Sequence, residues 1–338
     1  MKEISLRKNF LQGVSVDTIY FGGGTPSILD ISEIELIMDK IKEEFFFSPS
    51  EITLEANPDD ITAGKIRAWK AVGINRLSIG IQSFDQQSLS WMNRAHNAEQ
   101  ALASIILAKE NGIENLTIDL IYGIPGLSDD QWKKNIHTAI AAGVQHLSCY
   151  ALTVEPKTAL HNMIKKKKTE DIDQDQQVRQ FKILMDIARE NGFEHYEISN
   201  FALPGFRSKH NSSYWRGRPY LGLGPSAHSY DLQSRYWNIS NNSLYIQSIH
   251  KGMVPVEKET LTISQQFNEY IMTSLRTTEG VEKNYIEHKF GKERLEMVNN
   301  KMKDFIQSGK VVDNGNAYTL TDEGKLFADG IAMEVFEL

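Results

Sequence analysis

Cysteine is nearly missing from this chain of 338 residues: one is present, Cys149. A single thiol excludes an intramolecular disulfide framework and any cysteine-built zinc or iron–sulfur site formed within one chain. Long apolar runs are lacking as well. No stretch reaches the length that spans a bilayer, and the opening MKEISLRKNFLQG has no apolar signal-peptide core, which points to the cytoplasm. Positive charge is not in excess either. Thirty-seven basic residues stand against 44 acidic ones, a net charge of −7, so the chain is not built to grip phosphate backbones, and nucleic acid is not an expected partner.

What remains is an ordinary globular composition, 41% hydrophobic and 24% charged, in a chain long enough for one barrel-sized domain and a smaller appendage. Short β-rich runs alternate with longer amphipathic ones. DTIYF (17–21), EITLEA (51–56), RLSIGI (76–81), NLTIDLIY (115–122) and HLSCYAL (146–152) read as strands. SEIELIMDKIKEEF, TAGKIRAWKAVG, AEQALASIILAKENG and DQWKKNIHTAIAAG read as the helices between them. Strand then helix, repeated, predicts parallel strands joined by right-handed crossovers. A dinucleotide-binding sheet would want G-x-G-x-x-G early, and GGGTPS (22–27) departs from that spacing. A complete or partial (β/α) barrel is the better expectation, with ligand groups at the C-terminal ends of the strands.

Gly22 to Gly24, Glu55, Gln82, Asp119 and Ala151 all fall at or near such ends. Each alone is an ordinary turn glycine or strand-end residue. Together they line one mouth. The run KKKKTEDIDQDQQ (165–177) reads as a solvated loop or helix start and receives no function. Residues 194–230 read as an irregular, aromatic-rich region, and long irregular stretches tend to carry function. From Leu261 helices, a hairpin turning at Asp313 to Asn316 and a last helix suggest a winged-helix-like module, in a packing or docking role given the acidic balance. The expected division is 1–235 for the barrel and aromatic region, 236–260 as connector and 261–338 for the C-terminal module.

YFGGGTPS, LEANPDD, GINRLSIGIQSFD, LSWMNRAH, IDLIYGIPG, CYALTVEPKT, YEISNFALPG and HNSSYW together resemble the radical S-adenosylmethionine proteins of the oxygen-independent coproporphyrinogen oxidase group, in particular the HemW branch of haem chaperones. The resemblance runs from about Asp17 to Phe336. It implies a partial radical-SAM barrel of parallel strands that lacks its first strand here. It further implies that Gly23, Gly24 and Thr25 hold the methionine end of S-adenosylmethionine. Glu55 would take the ribose hydroxyls, Gln82 would offer a neutral donor and acceptor, and Arg94 would meet a carboxylate. Asp119 and Ala151 would complete the wall.

The family also binds a [4Fe-4S] cluster through CxxxCxxC ahead of the GGGTP segment. This sequence has no such motif, and Cys149 reads as a buried core residue. Neither a cluster nor radical chemistry is therefore expected of this chain, and no catalytic residue is assigned. Truncation at the N-terminus accounts for the departure best, and an unpaired sheet edge would then lower stability or monodispersity. HNSSYW (210–215) matches the motif that sets the haem chaperones apart, which implies His210 as iron ligand with Tyr214 and Trp215 beside the porphyrin. Tyr220 and Trp237 are further aromatic faces, and His195 and His228 are alternative ligands. The implied function is haem binding and delivery to a haem-accepting protein, with respiratory proteins among the acceptors. The alternative is a radical enzyme of the coproporphyrinogen oxidase type. Peripheral membrane contact, and the choice between monomer and homodimer, stay open.

Overall fold

A computed structural model describes residues 1–166 and 169–337. Lys167 and Lys168, inside the charge run, lie outside the described residues. Two compact units divide the chain. One comprises Met1–Ile19, Asp30–Glu51 and Lys209–Leu338; the other comprises Tyr20–Leu29 and Ile52–Ser208.

The five strands expected from the sequence are present, joined by two more. They are β1 (Val16–Phe21), β2 (Phe47–Ala56), β3 (Arg76–Gln82), β4 (Asn115–Tyr122), β5 (His146–Ala151), β6 (Glu194–Glu197) and β7 (Asn200–Ala202). Their order in the sheet is β1-β2-β3-β4-β5-β7-β6. Pairing is parallel from β2 to β5 and antiparallel at β7 and β6. The result is a partial (β/α) barrel with a hairpin added to its far edge. That hairpin opens the stretch expected to be irregular; Tyr196, Phe201 and Ala202 are buried, and this burial turns the start of the region into strands.

The helices are α1 (Lys2–Leu6), α2 (Ile31–Glu44), α3 (Ala63–Ala71), α4 (Gln86–Trp91), α5 (Ala98–Glu110), α6 (Asp129–Ala141), α7 (Ala159–Lys165) and α8 (Gln174–Glu190). The crossover helices α5 and α6 start with complete capping boxes, Asn97 with Gln100 and Ser128 with Gln131, which satisfy amides that would otherwise be orphaned. Alternation along β4 sends Leu116, Ile118 and Leu120 to one face, where all three are fully buried, and Thr117 and Asp119 to the other. Trp69 and Trp132 are the largest buried side chains of this unit.

The unit that also holds α1 and α2 continues with α9 (Lys209–Trp215) and a three-stranded sheet of β8 (His228–Tyr230), β9 (Ser234–Asn238) and β10 (Val256–Thr260). Next come α10 (Asn242–His250), α11 (Ile263–Leu275), β11 (Val281–Glu282), α12 (Lys283–Phe290), α13 (Lys292–Gln307), β12 (Val311–Asp313), β13 (Ala317–Leu320), α14 (Asp322–Lys325) and α15 (Ala328–Val335). The hairpin β12–β13 turns where the sequence places it, with β11 as an additional short strand on its other side. Phe267, Ile271, Val281, Met302, Tyr318 and Val335 belong to one buried cluster drawn entirely from this last segment. No helix among the described residues is long and apolar enough to cross a membrane.

Candidate functional site

The glycine loop follows β1 directly. A Cβ at Gly22 would stand 2.5 Å from Tyr20 Cε1 and 2.7 Å from Glu55 Oε1, so only glycine fits between the strand and that carboxylate. Gly23 has φ +79, and nothing lies within 4 Å of a Cβ built on Gly23 or Gly24. Their peptide groups are exposed. Gly23 N–H donates to Glu55 Oε2 at 3.2 Å, and Tyr20 OH donates to Glu55 Oε1 at 2.7 Å. The carboxylate is thereby fixed in direction at the edge of the loop. Half-buried Thr25 opens the short turn Pro26–Ile28, accepting the Ile28 amide on its carbonyl at 3.1 Å. Ser27 anchors that turn by donating to Asp60 Oδ2 at 2.6 Å.

At the end of β3 the register with β4 shifts between Ile79 and Gln82, and Gln82 adopts φ 66. Such a bulge with a non-glycine residue in the left-handed region re-aims a side chain, and it is sustained only where the surroundings enforce it. A Cβ on Gly80 would lie 3.1 Å from Gln82 Nε2 and 3.5 Å from Arg94 Nη2, so Gly80 makes room for both. Arg94 Nη2 donates to Asn57 Oδ1 at 3.0 Å and to Gly80 O at 3.1 Å. Its Nε is buried with no hydrogen-bond partner, a spare donor in a charged fork that fits an anionic ligand group.

Asp119 completes this wall. Burial, and then the charge of Glu55, push its carboxyl up to about 7, against the opposing pull of Arg76, Arg94 and a Ser78 hydrogen bond. Beneath it Arg76, 1% exposed, donates to Thr117 Oγ1; Thr117 pairs with His146 Nδ1 at 3.0 Å, and His146 Nε2 with Tyr196 OH at 2.7 Å. Burial and the Arg76 charge hold His146 well below its ordinary range, so this chain of hydrogen bonds runs through a neutral imidazole. Ala151 ends β5 opposite Tyr122, a backbone edge at the strand's end. Hydrogen bonds join Gly23, Glu55, Tyr20, Ser78 and Asp119, while Arg94 bonds separately to Asn57 and Gly80, beside the Gln82 amide. Tyr20, Asn57, Ser78 and Gly80 were not singled out from the sequence. Tyr20 carried a readable signal: it lies two residues before Gly22 on a strand, hence on the same face.

The HNSSYW residues form α9. His210 Nδ1 lies 2.8 Å from Thr18 Oγ1, and Nε2 lies 3.0 Å from Tyr214 OH. Tyr214 packs edge-on against Tyr220 at 4.7 Å between centroids. Trp215 lies under the Arg276 guanidinium at 5.5 Å. His228 is exposed, 6.4 Å from Trp237. His195 instead stacks on Phe201 at 4.0 Å and bonds to Ile198 O at 3.0 Å, the contacts of a packed structural histidine. A cavity of about 410 Å³ lined by Lys8, Leu11, Val14, Glu43 and Phe46, among others, includes none of the residues expected to bind a ligand.

The residues present do not fit a [4Fe-4S] cluster. Cys149 is buried in β5, and burial followed by the Asp119 charge pushes its thiol far up, the opposite of a thiolate ligand. No group of three or more His, Cys, Asp or Glu side chains among the described residues is arranged to hold a metal ion.

Known proteins match this architecture. The radical SAM superfamily model covers residues 6–139, and the HemN C-terminal domain model covers residues 261–327. "Heme chaperone HemW" of Bacillus subtilis is 35% identical over 317 residues, 93% of this chain and 84% of the relative. The HemW of Mycobacterium tuberculosis is 31% identical over 331 residues, 97% of this chain and 83% of the relative. The chain belongs to the HemW family. Among solved structures, coproporphyrinogen III oxidase (HemN) from Escherichia coli, a radical SAM enzyme, superposes with a TM-score of 0.84 over 99% of this chain and 81% of that one. At 22% identity that likeness speaks for the fold alone. In this HemW-family chain the radical SAM match takes in β1 to β4, and the HemN C-terminal match falls within the C-terminal module.

Proposed function

We propose that this chain binds haem and passes it to a haem-accepting protein in the cytoplasm, with S-adenosylmethionine as an accessory ligand. The observation that carries the reading is the HNSSYW helix, which sets His210 against the Tyr214 ring in a chain whose HemW relatives are named haem chaperones. His210 supplies a nitrogen for the iron, and Tyr214 and Trp215 supply apolar faces for the macrocycle. The reading leaves both a monomer and a homodimer open.

S-adenosylmethionine fits the network around Glu55. The open peptide groups of Gly23 and Gly24, with Thr25, take its amino-acid end, and the spare Arg94 Nε takes a carboxylate. Glu55 and Gln82 take hydroxyls and polar edges of the nucleoside, Ala151 offers backbone to the base, and the Asp119 charge favours the sulfonium. When bound, S-adenosylmethionine brings a sulfonium cation whose radical chemistry depends on a [4Fe-4S] cluster. The oxidase alternative rests on fold likeness and gains no support from this site.

Haemin titration followed by absorbance tests the reading. Saturable binding with a shifted Soret band is the expected result, weakened at least about tenfold in His210→Ala. Absence of saturable binding by the wild-type chain overturns it.

A further inference from the structure

The His210 ring is engaged at both nitrogens, and the two partners differ in kind. Thr18, on β1, meets Nδ1 at 2.8 Å; Tyr214, one helical turn on, meets Nε2 at 3.0 Å. The backbone beneath is held separately. Glu51, 2% exposed, accepts the amide N–H groups of Lys209 and His210 on its two oxygens at 2.9 Å each. A neutral imidazole carries one N–H and one lone pair, and the bond made by one nitrogen settles the state of the other. Tyr214 carries a phenol hydroxyl within hydrogen-bond distance of Nε2, and a phenol is a better donor than acceptor. With Tyr214 donating to the Nε2 lone pair, the ring proton would sit on Nδ1, directed at Thr18 Oγ1.

We propose that His210 takes iron through Nε2, that Thr18 is a positioning residue that fixes the tautomer, and that the Tyr214 hydroxyl is a built-in competitor for the same lone pair. This rests on the haem-carrier reading above. When haem binds, the O–H···N hydrogen bond breaks and an N–Fe coordination bond forms. Tyr214 keeps its proton and turns it to solvent, and no electron or proton leaves the site. Release reverses the exchange, with the hydroxyl ready to reoccupy the nitrogen, so the apo ring is never left without a partner there. A carrier gains from such an arrangement because the ligand is held firmly enough to collect and loosely enough to hand over.

Haemin titrations of wild type, His210→Ala, Tyr214→Phe, Thr18→Val and Thr18→Ser test this, with thermal melts to verify folding and electron paramagnetic resonance of the ferric complex to report the axial ligand. Tyr214→Phe keeps the ring and removes the competitor, so binding should tighten about fivefold, the worth of one net hydrogen bond. Thr18→Val should weaken binding about tenfold and alter the resonance spectrum, as loss of a ligand's hydrogen-bond partner does elsewhere. Thr18→Ser should restore both. Weaker binding by Tyr214→Phe, or wild-type affinity and spectrum in Thr18→Val, overturns the proposal. Unchanged binding in His210→Ala sinks it while the haem-carrier reading stands; no binding by wild type sinks both. Should Thr18→Val fail to fold, Thr18→Ser and Tyr214→Phe decide.

Discussion

At Asp119 one carboxyl reports both on stability and on ligand charge. Its folded-state value, pushed up to about 7 by burial and Glu55, lies above the ordinary carboxylate range that the unfolded chain shows. The folded protein therefore holds this proton more tightly than the unfolded one. The associated stability is fully present at low pH, below the unfolded value, and is lost as pH rises through about 7. Asp119→Asn cannot ionise, so its gain in melting temperature over wild type should be small near pH 5 and larger by several degrees near pH 8. Parallel melts at the two pH values check this; an equal difference at both would show that the carboxyl titrates normally. S-adenosylmethionine affinity should run the other way in wild type, rising with pH through the same range as the negative charge appears, and it should lose that slope in Asp119→Asn. Much of this site was legible from residue types at strand ends, because parallel strands bring those ends together. The positive φ of Gln82 and the room left by Gly80 were not, because a bulge depends on how two strands settle against each other.

Among the elements, α9 has little to hold it by itself. It has seven residues, none of them buried, and a helix so short is marginal without outside support. Glu51 provides that support from β2, 158 residues earlier in the chain. Glu51→Ala would leave two amide donors without their acceptor, a cost of about 1–3 kcal/mol, with the effect concentrated in α9. Urea unfolding would measure the total, and hydrogen exchange at Lys209 and His210 would show where it falls. Protection unchanged at those amides would mean that other contacts hold the helix. The HNSSYW string identified the segment as a motif, yet neither Glu51 nor Thr18 could be picked out as its partner. Their roles come from long-range packing, to which helical and strand periodicity are blind. A buried acid inside an apolar strand was the visible clue, since a buried carboxylate needs donors. Glu3 on α1 repeats the pattern, accepting from Asn238 Nδ2 at 2.6 Å and from the Gly224 amide at 2.7 Å.

Across the whole molecule, compact units and sequence segments do not coincide. β1 gives Thr18 to one unit and Tyr20 to the other, and β2 does the same with Glu51 and Glu55. Residues 209–260 donate anchoring hydrogen bonds to Glu3 and Glu51, both in the first 51 residues of the chain. Residues 261–338, by contrast, bring their own core, in which Phe267, Ile271, Met302 and Val335 are fully buried. Two fragments should therefore behave differently. The piece 261–338 should fold alone with a cooperative thermal transition, which Phe267→Ala should abolish, since losing such a ring costs about 3–5 kcal/mol and a domain of this size has little to spare. The piece 209–338 should show the same transition and nothing more, with the amides of 209–260 exchanging rapidly although they are protected in the full chain. Calorimetry and hydrogen exchange on the three proteins decide the matter. Protection of 209–260 in the shorter piece would show that the aromatic region needs neither Glu3 nor Glu51. Rapid exchange there would tie the haem-motif helix to the first 51 residues of the chain, and His210 could then be tested only in the intact protein.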